Sequence, residues 1–173
     1  MAEVKFPPKA KLFCGFIYSD DEILENCLTQ LSSDYGRIIL RSESFPFQHT
    51  CYYQSMGQNL KKVLTAFEPL IEREEISSIK LYSNNIENSF IENGKRRINI
   101  DPGYLTLSNV YLASCKEYYH RIYIGNGIYL ENEYYWSKKE YVFFEWTYPD
   151  YKTEGYVKFF KELRKIYAME LKI

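Results

Sequence analysis

The sequence predicts an α+β domain in which a largely antiparallel, mixed sheet of about seven strands packs with three main helices. Three observations carry that reading. Aromatic residues make up 18% of the chain, with 18 Tyr and 11 Phe, and such rings favour a half-buried pleated surface. Separate stretches place apolar residues three and four apart, the period of a helix. Two alternating runs flank Gly125-Asn126-Gly127, the signature of a hairpin.

Each element follows in order. Residues 11–18 are apolar on both alternating faces after Lys11, as a strand covered on both sides requires, which places it mid-sheet. Ser19 with Glu22 reads as a capping box, and Ile23, Leu24, Cys27, Leu28 and Leu31 continue at helical spacing. Helix one is therefore expected over about 20–33, closed by Gly36. Residues 37–45 read as a strand running into a turn at Pro46, followed by a second extended stretch, TCYYQSM. Residues 60–71 suit a strand or a short helix broken before Pro69, with strand preferred. Ile76, Ile79, Ser83, Ile86 and Phe90 form one largely apolar stripe of a helix ending at Gly94, while Ile79, Leu81 and Ser83 also alternate as along a strand.

Asp101-Pro102-Gly103 reads as a type II turn between a strand at 98–100 and another at 110–113. In the hairpin, a three-residue loop would set Ile124 opposite Ile128, Ile122 opposite Leu130 and Arg121 opposite Glu131. A turn at 137–140 leads into YVFFEW, and the last helix carries Val157, Phe160, Leu163, Ile166 and Tyr167 on one side.

Bulk composition narrows the function classes. With 173 residues the chain suits one domain, 1–173, burying roughly two-thirds of its unfolded surface. The net charge of −1 lacks the basic excess that grips phosphate backbones, so no nucleic-acid partner is expected. No apolar run approaches the ~20 residues that cross a bilayer, and no export segment precedes the first strand. A cytoplasmic location without membrane attachment is the expectation. Cys14, Cys27, Cys51 and Cys115 are scattered, which reads as free thiols. No cofactor or bound metal is expected.

LFCGFIYS, FPFQHTCYYQSMG at 45–57, RRINIDPGYLTL at 96–107 and the span from HRIYIGNGIYLENEYYW through WTYPDY together resemble the domain of unknown function 4416 family over nearly the whole chain. The resemblance implies no activity, although some members carry the label GTP-binding protein. A phosphate-cradling loop of the G-x-x-x-x-G-K-S/T type would support that label. Here Gly94-Lys95 has Ser89 in place of the first Gly and Arg96 after it, so the motif is absent. The family usually carries an acidic residue before the Met-Gly pair, and Ser55 stands there before Met56-Gly57.

His49 and His120 are the two histidines, hence the natural candidates for a base titrating near neutrality. Asp101 is a third catalytic candidate. The conservative reading makes His120 a hydrogen-bonded, inert strand residue, makes Asp101 and Asp150 turn organisers, and pairs Arg121 with Glu131. His49, Cys51, Cys115 and His120 contain zinc-type ligands, but the pattern is weak beside burial of Cys as a small hydrophobe. Thr50, Tyr52, Arg97, Asn99, Tyr104, Arg121 and Asp150 are the candidate ligand contacts. Two readings follow. The first is a domain that binds a small anionic ligand or a protein segment in a polar, Tyr-rich cleft where these motifs converge. The alternative is a hydrolase or transferase acting on a phosphorylated or nucleotide substrate with a His base.

Overall fold

A computed structural model of the chain describes residues 2–47, 53 and 56–172, and it is α+β. The elements run β1 (Ala10–Tyr18), α1 (Asp21–Tyr35), β2 (Ile38–Arg41), β3 (Phe45–Pro46), β4 (Lys61–Ile71), α2 (Ile76–Ser89), β5 (Ile98–Leu105), β6 (Asn109–Ser114), β7 (Ile122–Gly125), β8 (Ile128–Ser137), β9 (Glu140–Phe143) and α3 (Glu154–Glu170). Among the described residues the strands make one sheet in the order β2-β4-β1-β5-β6-β8-β7, with β3 on β4 and β9 on β8. Its pairings are antiparallel. The segment 60–71 is a strand because its apolar residues fill both faces: Val63 and Phe67 meet one core, Leu64 and Ala66 the other.

The sheet separates two apolar layers. On one side Leu12, Cys14, Phe16 and Tyr18 of β1 pack with Leu24, Leu28 and Leu31 of α1 and Ile76, Ile79 and Ile86 of α2. On the other side Phe13, Leu105, Val110, Leu112 and Tyr134 meet Tyr156, Phe159, Phe160, Leu163 and Tyr167 of α3. The buried stripe of α3 is turned from the expected one, since Val157 and Ile166 are only half-buried. Phe13 and Phe160 meet edge to face at 4.8 Å, the arrangement that ring quadrupoles favour.

Three local expectations are corrected. The N-cap of α1 is Asp20, whose carboxylate accepts from the amides of Glu22 and Ile23, while the Ser19 hydroxyl donates to the Met56 carbonyl instead. The hairpin closes with Gly125 opposite Ile128, leaving a two-residue Asn126-Gly127 loop with both φ positive (55° and 74°). That is the turn which matches strand twist, and a bulge at Ile124 removes its pairing with Ile128. Ile122 does face Leu130. The third correction shapes the molecule: Asp101-Pro102-Gly103 is not a turn but the middle of β5.

Pro102 explains what β5 then does. Ile100 turns its N–H and C=O toward α2 at the edge away from β1, and two residues on, Pro102 faces the same edge without an N–H to donate. The ladder to β6 holds only Gly103–Leu112, Tyr104–Tyr111 and Leu105–Val110. Beyond it β6 continues along β8 to Ser114, and the sheet splits. Gly103 marks the last close approach: a Cβ there would lie 2.2 Å from the Tyr111 carbonyl and 2.5 Å from the Phe13 ring.

Candidate functional site

At the split, β5 exposes a backbone edge that no strand among the described residues pairs, and such groups must find other partners. Two charged side chains of α2 reach in to serve. Glu87 accepts from the Ile100 amide at 2.7 Å and Lys80 donates to the Ile100 carbonyl at 2.7 Å. Both residues are buried. They lie seven residues apart in the largely apolar buried stripe of α2, two turns along one face.

A cleft of about 640 Å³ opens beside this edge. Its floor is the α3 side of the sheet: Lys62 of β4, Ile17 of β1, Asn99 and Asp101 of β5, Leu112 of β6 and Glu131 of β8. Asn84 and Asn88 of α2, the segment Tyr148–Tyr151, Phe47 and Tyr53 complete the walls. Gly15 leaves the central strand bare here, and a Cβ at that position would stand 3.3 Å from the Lys62 stem.

The charges of the wall are largely matched to one another. Lys62 Nζ donates to Asp150 Oδ2 at 2.7 Å, and both side chains are less than a tenth exposed. The same ammonium lies 4.9 Å from the ring centre of Tyr151, 5.5 Å from Tyr156 and 5.6 Å from Phe47, a desolvated cation–π setting. Arg96 reaches Glu87 at 3.3 Å and Asn99 Oδ1 at 3.2 Å. Burial above all raises the Glu87 pKa, with Lys80, the Ile100 amide and Arg96 opposing. Glu131 receives His120 Nε2 at 2.8 Å and Arg121 Nε at 3.0 Å.

Some polar capacity is left over. Among the described residues, Asn99 Nδ2 and the Tyr151 hydroxyl are buried with no hydrogen-bond partner, and both residues line the cleft. Asp101 stands 3.6 Å from Lys80, beyond hydrogen-bond distance. Beneath the rim, Glu133 Oε2 accepts the Tyr148 amide at 3.1 Å while Oε1 has no partner. Burial, then the neighbouring Glu131, pushes the Glu133 carboxyl up to about 8, so it carries a proton at neutral pH.

The sequence candidates fall in different places. Asn99, Asp101 and Asp150 stand on the cleft wall. Arg121 and His120 lie behind it: Arg121 holds Glu131 and also donates to Ser114 Oγ, the Lys116 carbonyl and the Tyr148 hydroxyl at 2.9–3.0 Å, tying the rim together. His120 is stacked on Trp146 at 4.9 Å with Nδ1 buried and unpartnered, so it presents no base to the cleft. Arg97 pairs with Asp20 and Glu92 off the wall. Tyr104 packs on Tyr111 at 5.1 Å on the α1 and α2 side, where burial raises its hydroxyl to about 12. His49, Thr50, Tyr52 and Cys51 lie outside the described residues. Cys115 sits on the rim, with Asn84 Nδ2 3.2 Å from its sulfur. Among the described residues no three His, Cys, Asp or Glu side chains are grouped to hold a metal, and no helix is long and apolar enough to cross a membrane.

The model of the family described as Domain of unknown function (DUF4416) matches residues 8–167. The chain belongs to the DUF4416 family. No curated protein and no solved structure matches it. Every wall residue of the cleft falls within the span that matches DUF4416. Lys62, Lys80 and Glu87 in this DUF4416 chain were not among the sequence candidates. Their one signal was a charge placed where strand or helix periodicity calls for an apolar side chain.

Proposed function

We propose that the protein is a binding domain whose cleft at the β5–β6 split receives a small anionic, oxygen-rich molecule. One observation carries this reading: the uncommitted hydrogen-bonding capacity of the wall is rich in donors. An ammonium has three N–H groups, and among the described residues Lys62 and Lys80 each make one hydrogen bond. The Asn99 amide and the Tyr151 hydroxyl make none through the atoms left unpartnered. Leaving a buried donor unmet costs about 1–3 kcal/mol, so a ligand that brings acceptors suits these groups better than one that brings donors. The size of the cleft lies within the roughly 300–1,000 Å³ of small-molecule sites.

A protein segment is the second occupant that the sequence suggested, and the burial of these donors inside the cleft favours the small molecule. The test is a thermal-shift screen of nucleotides, sugar phosphates and amino acids at a large excess over the expected Kd. A ligand at 100 times its Kd adds about 2.7 kcal/mol of stability, a rise in Tm of several degrees for a domain of this size. The shift is expected to shrink in Lys80→Met and in Asn99→Asp. A screen in which no anion raises Tm rejects the small-molecule reading.

A further inference from the structure

Four carboxylates line the cleft, and three are fully employed by the protein itself: Glu87 by the Ile100 amide and Arg96, Glu131 by His120 and Arg121, Asp150 by Lys62. Asp101 differs. It is a quarter exposed, no described side chain or backbone group hydrogen-bonds to its carboxylate, and its nearest cation is Lys80 at 3.6 Å. Its register partner is Gly15, which has no side chain to cover it. A site meant for a bare anion is weakened by an open carboxylate, because like charges repel and the oxygens stay unpaired when water is displaced.

We infer that the ligand is a hydroxylated anion, a phosphorylated or carboxylated polyol, whose anionic group faces Lys62, Lys80 and the Asn99 amide while a hydroxyl donates to Asp101. This rests on the binding reading above and specifies its ligand. A neutral hydroxyl suits the position better than a second ammonium, because Lys80 already balances the Asp101 charge. A hydroxyl also accepts a hydrogen bond while donating one, so it pairs with the spare donors of Asn99 or Lys80 at the same time.

Calorimetric titration of the full chain with matched probes tests this: glycerol 3-phosphate against propyl phosphate, and glycerate against propionate. The phosphate and carboxylate pairs separate the two sources of the anion. A hydroxyl on the partly exposed Asp101 carboxylate is expected to make the hydroxylated member of the preferred pair bind about tenfold more tightly. Asp101→Val, β-branched to suit the strand, brings that ratio close to one. Asp101→Asn keeps the shape and one acceptor, gives an intermediate ratio, and serves if the Val variant does not fold. Equal binding of the two members in the native chain overturns the inference while leaving anion binding intact. A ratio unchanged in the variants, or tighter binding of 3-aminopropyl phosphate than of glycerol 3-phosphate, overturns it as well. Binding of none of these probes removes the inference together with the reading beneath it.

Discussion

Replacing Glu133 by Gln has an effect that can be worked out in advance. The carboxyl lies under the Tyr148 amide with one oxygen satisfied and the other buried without a partner. Burial first, then the negative charge of Glu131, lifts its pKa from 4.5 to about 8. Between those values the folded protein keeps a proton that the unfolded chain has released. The stability contributed by this group is therefore whole below pH 4.5 and declines by about 1.4 kcal/mol per pH unit as the pH climbs toward 8. Gln keeps the shape and an acceptor for Tyr148 but does not titrate. Glu131, Lys62, Asp150 and Tyr148, which face the carboxyl, are present in both proteins and largely cancel. Urea unfolding of the two at a series of pH values should show Glu133→Gln gaining on the native chain by about 3 kcal/mol between pH 5 and 7.5. A difference independent of pH would mean that the carboxyl is ionised in the fold, and the account of the rim would fail.

Other outcomes follow from the same geometry. Lys62→Met strands the Asp150 carboxylate and should cost about 3–5 kcal/mol, with much of that recovered in Lys62→Met/Asp150→Leu; denaturant unfolding of the three variants measures both. Gly103→Ala forces a methyl against the Tyr111 carbonyl and should cost at the upper end of about 1–3 kcal/mol, read as a lowered Tm. Gly127→Ala strains a left-handed turn residue with open space around it, so its loss should stay near about 1 kcal/mol in the same assay.

The periodic elements were legible in the sequence and the site was only half so. β1 and α1 announced themselves because each has a face that must be buried, and periodicity reports burial directly, while α2 shared its pattern with a strand alternative and ends at Ser89 rather than Gly94. The strand at 61–71 was harder, since Pro69 and the paired lysines weakened its pattern until tertiary neighbours on both faces decided it. Pro102-Gly103 misled for a physical reason: the same two residues that build a turn also end a ladder and permit close backbone approach. Ser19 lost the cap to Asp20 because either oxygen has the right chemistry and only the entry angle of the chain selects between them. Asp101 and Asp150 were readable as polar residues beside Pro and near Tyr, and Asn99 as a polar residue in the same motif as Asp101. Lys62, Lys80 and Glu87 were not, because a buried charge is explained by a partner far away in the chain: Lys62 meets Asp150 across 88 residues.

The central claim is that a small anion sits against the donors at the β5–β6 split. Side-chain amide NMR of Asn99 tests it most directly, since Nδ2 is buried in the cleft without a partner. Titration with glycerol 3-phosphate should move the Asn99 amide resonance downfield in step with binding, together with the backbone amides of β5 around Asp101. Saturable binding that leaves Asn99 unmoved and shifts residues elsewhere, such as the outer face of α3, would contradict the account.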